Sequence, residues 1–454
     1  MDERPAVRGI WIFSIVWLGQ LVSLIGSGVT GFALSIWVYQ RTGSATQFAL
    51  TAFCGALPSV LFSPLAGALV DRWNHRWTMV FSDIGAGLIA LVIFLLLVAG
   101  RFEVWHIYVA TALMSTLGAF QWPAYTAATT LLIPKQHLGR AGGMFQMGQG
   151  IVQLLAPVLG GLLLEIIQLQ GVVLLEFATC LFALVTLLSV RFPRASAPPA
   201  GKPEKDSLLR EIAYGWAYLA SQPGLLALLI FFTVSSFLAG IVGVLFGPLV
   251  LSFASPVVLG SLLSIAGIGT LISSLVMSIW GGPQRCMQAV FRVMLLSGLC
   301  ISVAGLGTSI LVLGIVIFLF FSGTSVLNVC TQVIFQRKVV PFVQGRIFAL
   351  RGGITGASLP LAYLVAGPLA DYVFEPLMVP DGPLAESVGQ LIGVGPGRGI
   401  GLMFMVMGTL TMIVTVVAYH YPRLRLVEDE LPDAIPDDRV SGEPELIHSP
   451  KLGA

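Results

Sequence analysis

Long apolar runs recur along this chain, each about as long as a membrane-spanning helix, and short polar turns separate them. A bilayer core needs about 20 apolar residues per helix. The runs are continuous rather than alternating, which favours helices over the strands of a membrane barrel. The pattern predicts an all-α integral membrane protein with twelve transmembrane helices, at residues 11–38, 47–70, 77–99, 104–132, 140–165, 171–190, 224–251, 256–280, 287–307, 309–335, 345–374 and 399–420.

Composition supports this class. Hydrophobic residues make up 56% of the chain and charged residues 10%, whereas a soluble domain carries about 25% charged residues. The formal net charge of +2 points to no particular partner. The five cysteines are scattered without a C-x-x-C pair, so they are predicted to be small packing residues.

The basic residues predict an orientation. If the N-terminus lies in the cytoplasm, all 24 Lys and Arg residues fall in inside segments except Arg41, Arg101 and Arg398. Basic residues concentrate on the cytoplasmic side of membrane proteins. The distribution therefore predicts a multi-pass protein with both termini in the cytoplasm.

The longest inside connection, residues 191–222, divides the predicted helices into two sets of six. Residues 1–190 and 223–421 are predicted to form two six-helix bundles, joined by a linker that contains a short amphipathic helix. Residues 422–454 are predicted to be an acidic, disordered cytoplasmic tail. The bundles resemble each other: Gln121 precedes Pro134 by thirteen residues, and Asn328 precedes Pro341 by thirteen. Such repeats are typical of transporters that bind substrate between their halves.

A short charged turn joins predicted helices two and three. Gly67 and Ala68 would let neighbouring helices approach closely, and Asp71, Arg72 and Arg76 can pair with helix ends. The alternative is a loop that is charged only to stay in water. Asp83, about one turn into helix three, is expected to belong with this turn, and Gly345 with Arg346 follows helix ten in the second half.

Several motifs resemble the major facilitator superfamily, and within it the drug–proton antiporter branch with macrolide and siderophore exporters. They are Gly67-Ala-Leu-Val-Asp71-Arg72-x-x-x-Arg76, Phe120-Gln-Trp-Pro123-Ala124, Leu132-Ile-Pro134, Leu208-Leu-Arg-Glu211-Ile with Gly215-Trp216, Trp280-Gly-Gly-Pro283, Gln336-Arg337-Lys338-Val339 and Gln344-Gly345-Arg346-Ile347-Phe348-Ala349. The resemblance implies a bacterial inner-membrane transporter driven by the proton-motive force, in which the Asp71 turn braces helix two against helix eleven in the outward-open state.

The exporter motif of helix five is partly present. Gly143, Pro157, Gly160 and Gly161 fit it, but Val152 and Ala156 stand where glycines are usual. The fourth helix also lacks the buried arginine that many relatives carry.

Polar side chains at helical spacing predict a substrate cavity. Placing these polar side chains against lipid would cost free energy, so they are expected to line a wet cavity or to join helices to one another. Three stripes together favour a cavity for an amphiphilic, mostly uncharged molecule. The stripes are Gln20, Ser23, Ser27 and Thr30 on helix one, Gln146, Gln149 and Gln153 on helix five, and Asn328, Thr331, Gln332 and Gln336 on helix ten, with Gln121 on helix four.

Two intramembrane acids are candidates for proton coupling. Glu176 lies a few residues into helix six and is the preferred candidate, whereas Glu165 ends helix five and suits an acid at the membrane interface equally well. The five histidines have no metal-ligand spacing, and no phosphate-binding loop is present. The sequence therefore predicts no enzyme activity, no metal or other cofactor, and no nucleotide or nucleic acid as a partner.

The combined prediction is a monomeric secondary transporter that exports amphiphilic small molecules, such as macrolide-like drugs, peptides or siderophores, by proton antiport with alternating access. One alternative is a flippase or facilitator for lysophospholipid-like molecules without proton coupling. The other is a membrane sensor or scaffold that binds without transport. The long outer segment 374–399 is expected to be either a solvated loop or a cap over the exit.

Overall fold

The computed structural model describes residues 4–70, 73–133, 137–190, 208–307 and 309–430. Within these ranges the chain is helical and contains no strand. The major helices are α1 (Arg4–Thr42), α2 (Ala45–Val70), α3 (His75–Val98), α4 (Val104–Leu132), α5 (Leu138–Ser189), α6 (Leu208–Ser221), α7 (Pro223–Leu251), α8 (Pro256–Trp280), α9 (Cys286–Leu306), α10 (Ile310–Lys338) and α11 (Pro341–Pro368).

The last part of the chain contains one more long helix among several short elements. A π-helical turn, Leu369–Phe374, continues α11 directly. The elements after it are α12 (Glu375–Leu377), α13 (Gly389–Ile392), α14 (Arg398–His420), α15 (Pro422–Arg425) and α16 (Val427–Glu430).

Helix α5 reverses direction at Gln168, which has φ 57° and ψ 177°. If straight, its 52 residues would be about 78 Å long, more than twice the thickness of a bilayer core. Contacts with α1 join Trp17 to Met144 and Phe32 to Gly160 along the first arm, and Gly19 to Thr186 and Thr30 to Val172 along the second. Helix α1 is therefore parallel to the first arm and antiparallel to the second, as two successive membrane passes would be.

Ten helices in the described ranges are long and apolar enough to cross a membrane. Helix α4 is not among them, and the two arms of α5 count as one. The multi-pass, all-α fold is thus confirmed, whereas the count of twelve spans stays a prediction.

The two sets of helices pack mainly within themselves: α1 to α5 form one group, and α7 to α11 with α14 form the other. The groups meet mainly where α2 packs on α11 and α5 packs on α8. Helix α6 lies in the predicted amphipathic region and packs through Gly215 on Arg346 and Leu350 of α11. The division of the chain into domains at 191–222 stays a prediction, and residues 191–207 lie outside the described ranges.

The predicted start of the disordered tail is wrong for residues 422–430, which form α15 and α16. Leu424 and Val427 are buried in an apolar cluster with residues of α7, α9, α10 and α11. Glu428 accepts hydrogen bonds from the backbone amides of Cys286 (3.0 Å) and Met287 (2.9 Å) at the start of α9. These contacts order a segment whose acidic composition alone predicts disorder, and residues 431–454 lie outside the described ranges.

Candidate functional site

The two groups of helices are joined tightly at one end of the bundle, here called the closed end. A methyl group on Gly161 would lie 2.6 Å from the carbonyl oxygen of Pro256, and one on Gly260 would clash with the carbonyl oxygen of Pro157. Small residues allow such close helix packing in membranes. The hydroxyl of Ser264 also donates to the carbonyl oxygen of Leu154. Three residues of the partly present exporter motif of helix five, Pro157, Gly160 and Gly161, thus lie at or near this contact.

A carboxylate forms the second contact at the closed end. Asp371, in the π-helical turn after α11, accepts hydrogen bonds from the hydroxyl of Ser44 (2.6 Å) and the amides of Ala45 (3.0 Å) and Thr46 (2.9 Å). It caps the N-terminus of α2, whose first amides have no partner within the helix. The cap joins one half to the other across 325 or more residues of sequence, so sequence spacing gave no indication of it.

The opposite end, here called the open end, holds the α2–α3 and α10–α11 turns. Several glycines there would place a methyl group in empty space, with no other atom within 4 Å. They are Gly67, Gly142, Gly143, Gly345, Gly352, Gly353 and Gly356. By contrast, the glycines of α5 and α11 whose added methyl group would meet backbone of the other half, Gly161 and Gly367, lie towards the closed end. Along these two helices the halves therefore diverge towards the open end. With the orientation predicted from the basic residues, this conformation is inward-open.

Only part of the α2–α3 turn, which is predicted to brace α2 against α11, lies in the described residues. Asp71 and Arg72 lie outside the described residues. The guanidinium of Arg76 donates to the carbonyl oxygen of Leu188 (2.9 Å), on α5 of the same half. Arg346 lies beside α6. A brace in the outward-open state stays a prediction, because the halves are apart here.

The glutamine stripe of α5 faces the space between the halves. Gln146, Gln149 and Gln153 are exposed, and helical geometry places them between the face that packs on α1 and the face that packs on α8. The opposite face carries the exposed apolar side chains Met147 and Leu155.

Helix α10 contributes amides in the other half. Asn328, Gln332 and Gln336 are exposed, whereas Thr331 is buried. Asn328 borders a cavity of about 130 Å³ with Thr324 of the same helix.

The polar stripe on α1 lies inside the N-terminal half rather than in the space between the halves. Gln20 and Ser23 are buried inside the N-terminal half. The amide of Gln20 donates to Asp83 (3.0 Å), and the amide of Gln121 reaches both Asp83 (2.7 Å) and Gln20 (2.8 Å). This polar cluster joins α1, α3 and α4. Asp83 therefore contacts two residues predicted for the substrate cavity, and its predicted link to the turn at Asp71 stays a prediction.

Glu176 lies deep in the same half, on the second arm of α5. Its side chain is 1% exposed, and the hydroxyls of Ser27 and Thr30 on α1 lie beside its carboxyl group. Among the described residues, none donates a hydrogen bond to Oε2. By contrast, Glu165 is exposed near the reversal of α5.

Arg351 is a charged residue at depth that the sequence interpretation assigned to an inside segment. It lies ten residues into α11, about 15 Å along the helix. The side chain is half-buried, and its guanidinium carbon lies 4.9 Å from the centre of the Phe335 ring. An arginine inside a membrane helix is a functional candidate; the signal that could have found it is its position six residues inside the predicted span 345–374.

The outer segment is packed rather than loosely solvated. Met378, Ile392 and Leu402 form a small apolar core. Glu375 accepts a hydrogen bond from the amide of Ile400 (3.2 Å) near the start of α14. This packing places the segment at the closed end, beside Asp371. A role as a cap over the exit stays a prediction.

A first test concerns the α5–α8 contact. We expect Gly260→Ala to lower the stability of this conformation by about 1–3 kcal/mol, because its new methyl group meets backbone. Gly118→Ala is the matched control, since its methyl group would enter empty space and alanine favours a helix by about 1 kcal/mol. Thermal unfolding in detergent measures the midpoint of each variant. Equal midpoints for Gly260→Ala and Gly118→Ala would contradict a stabilising role for close packing at this contact.

Comparisons with known proteins give the family. The sequence pattern of the Major Facilitator Superfamily matches residues 16–363. Macrolide efflux protein A of Streptococcus pyogenes is 26% identical over 371 residues, covering 80% of this chain and 90% of that protein. Multidrug efflux pump Tap of Mycolicibacterium fortuitum is 24% identical over 429 residues, covering 90% of this chain and 96% of the relative.

Solved structures show the same fold. An inward-facing, unoccupied bacterial homologue of the human lysosomal transporter Spinster aligns with a TM-score of 0.67 at 15% identity, covering 93% of this chain and 98% of the other. The nucleoside transporter NupG aligns with a TM-score of 0.66 at 13% identity, covering 90% and 99%. With its apolar helices and two packed halves, the chain is a membrane transporter, not an enzyme, and belongs to the Major Facilitator Superfamily.

Proposed function

We propose that this protein exports amphiphilic small molecules by alternating access, coupled to proton entry. The observation that carries the proposal is the arrangement of the two halves, which pack tightly at the closed end and diverge at the open end. A cleft that opens to one side at a time is how such transporters move substrate. The resemblance to macrolide and multidrug efflux proteins supports export and the substrate class.

The lining of the cleft supports an amphiphilic substrate. Amide side chains on α5 supply hydrogen bonds without charge, and the half-buried Arg351, which packs on the fully buried ring of Phe335, adds one cation. Ligand sites are mainly apolar with a few polar groups that fix orientation. Such a lining suits a bulky molecule with several oxygen or nitrogen acceptors.

Proton coupling needs a group that can gain and lose a proton during the cycle. We assign this role to Glu176, because it is a buried carboxyl group with one oxygen that has no donor among the described residues. Burying an ionised group without compensation is unfavourable. Its neighbours Ser27 and Thr30 lie on α1, which also carries Gln20 of the Asp83 cluster, so a change at Glu176 can reach that cluster.

The test is uptake of a macrolide or hydrophobic dye into inverted vesicles, with and without an uncoupler. We expect accumulation that the uncoupler abolishes. Accumulation that the uncoupler leaves unchanged would contradict proton antiport and favour the flippase or facilitator. Binding without accumulation would favour the sensor or scaffold.

A further inference from the structure

A basic pocket lies on the C-terminal half, away from the α2–α11 and α5–α8 contacts between the halves. It has a volume of about 830 Å³ and lies between the start of α9, the end of α10, the end of α14 and the short helices that follow. This size is within the range of small-molecule sites. None of the residues predicted for the substrate cavity lines it.

The pocket presents positive charge. Among the described residues, four arginines and one acid, Glu428, line it; the arginines are Arg285, Arg292, Arg337 and Arg425. Both carboxylate oxygens of Glu428 already accept backbone amides of α9. The acid is therefore engaged in capping the helix, and the arginines dominate the charge that a ligand would meet.

The pocket also continues into an apolar surface. Leu295 (39% exposed) on α9 and Val416 (45% exposed) on α14 line it. Further along the same two helices, away from the basic residues, Leu299 and Ile413 are exposed as well. In a membrane protein, such exposed apolar side chains face lipid tails. Tyr419 stands between the two regions, with the guanidinium of Arg425 at 5.4 Å from its ring centre, as aromatic residues do at the membrane interface.

We propose that this pocket binds the phosphate group of an anionic glycerophospholipid, whose acyl chain lies along α9 and α14. Arginine guanidinium groups match the geometry of phosphate oxygens, and basic pockets between membrane helices bind anionic headgroups. The apolar continuation favours a lipid over a free phosphate, which would use only the basic part.

The pocket wall includes the segment that caps α9. Leu426 and Glu428 line the pocket, and the ammonium group of Lys338 donates to the carbonyl oxygen of Glu428. A lipid bound there would hold α9, α10 and α15 together through the arginines. Binding of this kind stabilises the folded protein in proportion to occupancy.

The experiment measures lipid binding to the purified, delipidated full chain by native mass spectrometry, with a thermal-unfolding series alongside. The probes are phosphatidylglycerol and phosphatidylcholine with identical acyl chains, and inorganic phosphate. We expect phosphatidylglycerol to bind at least tenfold more tightly than phosphatidylcholine and to raise the unfolding midpoint.

The variants test the pocket itself. A triple variant, Arg285→Gln with Arg292→Gln and Arg425→Gln, should weaken phosphatidylglycerol binding about a hundredfold, at about fivefold per arginine. Arg423→Gln is the matched control, because Arg423 is an exposed arginine of the same short helix that does not line the pocket. If the triple variant unfolds, Arg292→Gln alone should still weaken binding about fivefold.

Two further outcomes decide between lipid and phosphate. Leu295→Trp would obstruct the acyl path, and we expect it to weaken phosphatidylglycerol without affecting phosphate. Displacement of the lipid by millimolar phosphate, with no effect of Leu295→Trp, would show a solution phosphate site and overturn the proposal. Equal binding of the two lipids, or equal losses in Arg423→Gln and the triple variant, would overturn it as well.

Discussion

Replacing Asp371 by asparagine should shift the protein away from the conformation described here. The carboxylate accepts three hydrogen bonds at the N-terminus of α2, and these bonds break when the halves separate at the closed end. Asparagine has one acceptor oxygen where aspartate has two, so at least one of these bonds is lost, at about 0.5–1.5 kcal/mol, and losing a negative charge at a helix N-terminus costs about 0.3–1 kcal/mol more. A loss of about 2 kcal/mol changes the ratio of closed to open forms roughly 30-fold.

Distances between spin labels on the two sides of the closed end would measure this shift. Arg41 and Leu391 are exposed positions for the labels, one in each half, in a background that lacks the five native cysteines. We expect a longer distance to become populated in Asp371→Asn, with a lower rate of transport. Asp381→Asn is the control, because Asp381 is an exposed acid of the same outer segment. Unchanged distances in both variants would show that the cap does not hold the halves together.

Replacing Glu176 by glutamine should abolish accumulation driven by a proton gradient. Glutamine keeps the shape of a protonated carboxyl group but cannot release a proton. Uptake into energised inverted vesicles should fall at least tenfold, whereas exchange of labelled for unlabelled substrate without a gradient should persist. This difference separates lost coupling from lost folding or lost substrate binding.

Glu165→Gln provides the comparison for that experiment. Both acids lie on α5, but Glu165 is exposed whereas Glu176 is buried. We expect Glu165→Gln to keep uncoupler-sensitive uptake. If both variants lose it equally, or if only Glu165→Gln does, the assignment to Glu176 is wrong. If neither loses it, Asp83→Asn becomes the next variant.

Much of the fold follows from the sequence, because membrane helices are determined by local composition. Apolar runs of about 20 residues predict helices whose ends agree with the structure to within a few residues in most cases. The gap between predicted spans at residues 166–170 contains Gln168, where α5 reverses. The largest difference is at α1, which begins at Arg4 rather than near residue 11.

Contacts between distant residues could not be predicted in the same way. Asp83 was recognised as an intramembrane acid, but its partners Gln20 and Gln121 lie 63 and 38 residues away. Asp371 was absent from every predicted site, because nothing local shows that an acid in one half caps a helix in the other. Helical periodicity identifies which residues share a face, but not which helix that face meets.

The cap that Glu428 provides for α9 also bears on how the protein is made. The first amides of α9 lack their carboxylate partner until residue 428 has been synthesised, well over a hundred residues after Cys286. The C-terminal half is therefore completed only after its last long helix, α14, has left the ribosome. A stop codon or fusion junction placed before residue 428 would leave the first amides of α9 without the Glu428 carboxylate. We expect such a chain to be degraded faster by the quality-control proteases of the membrane.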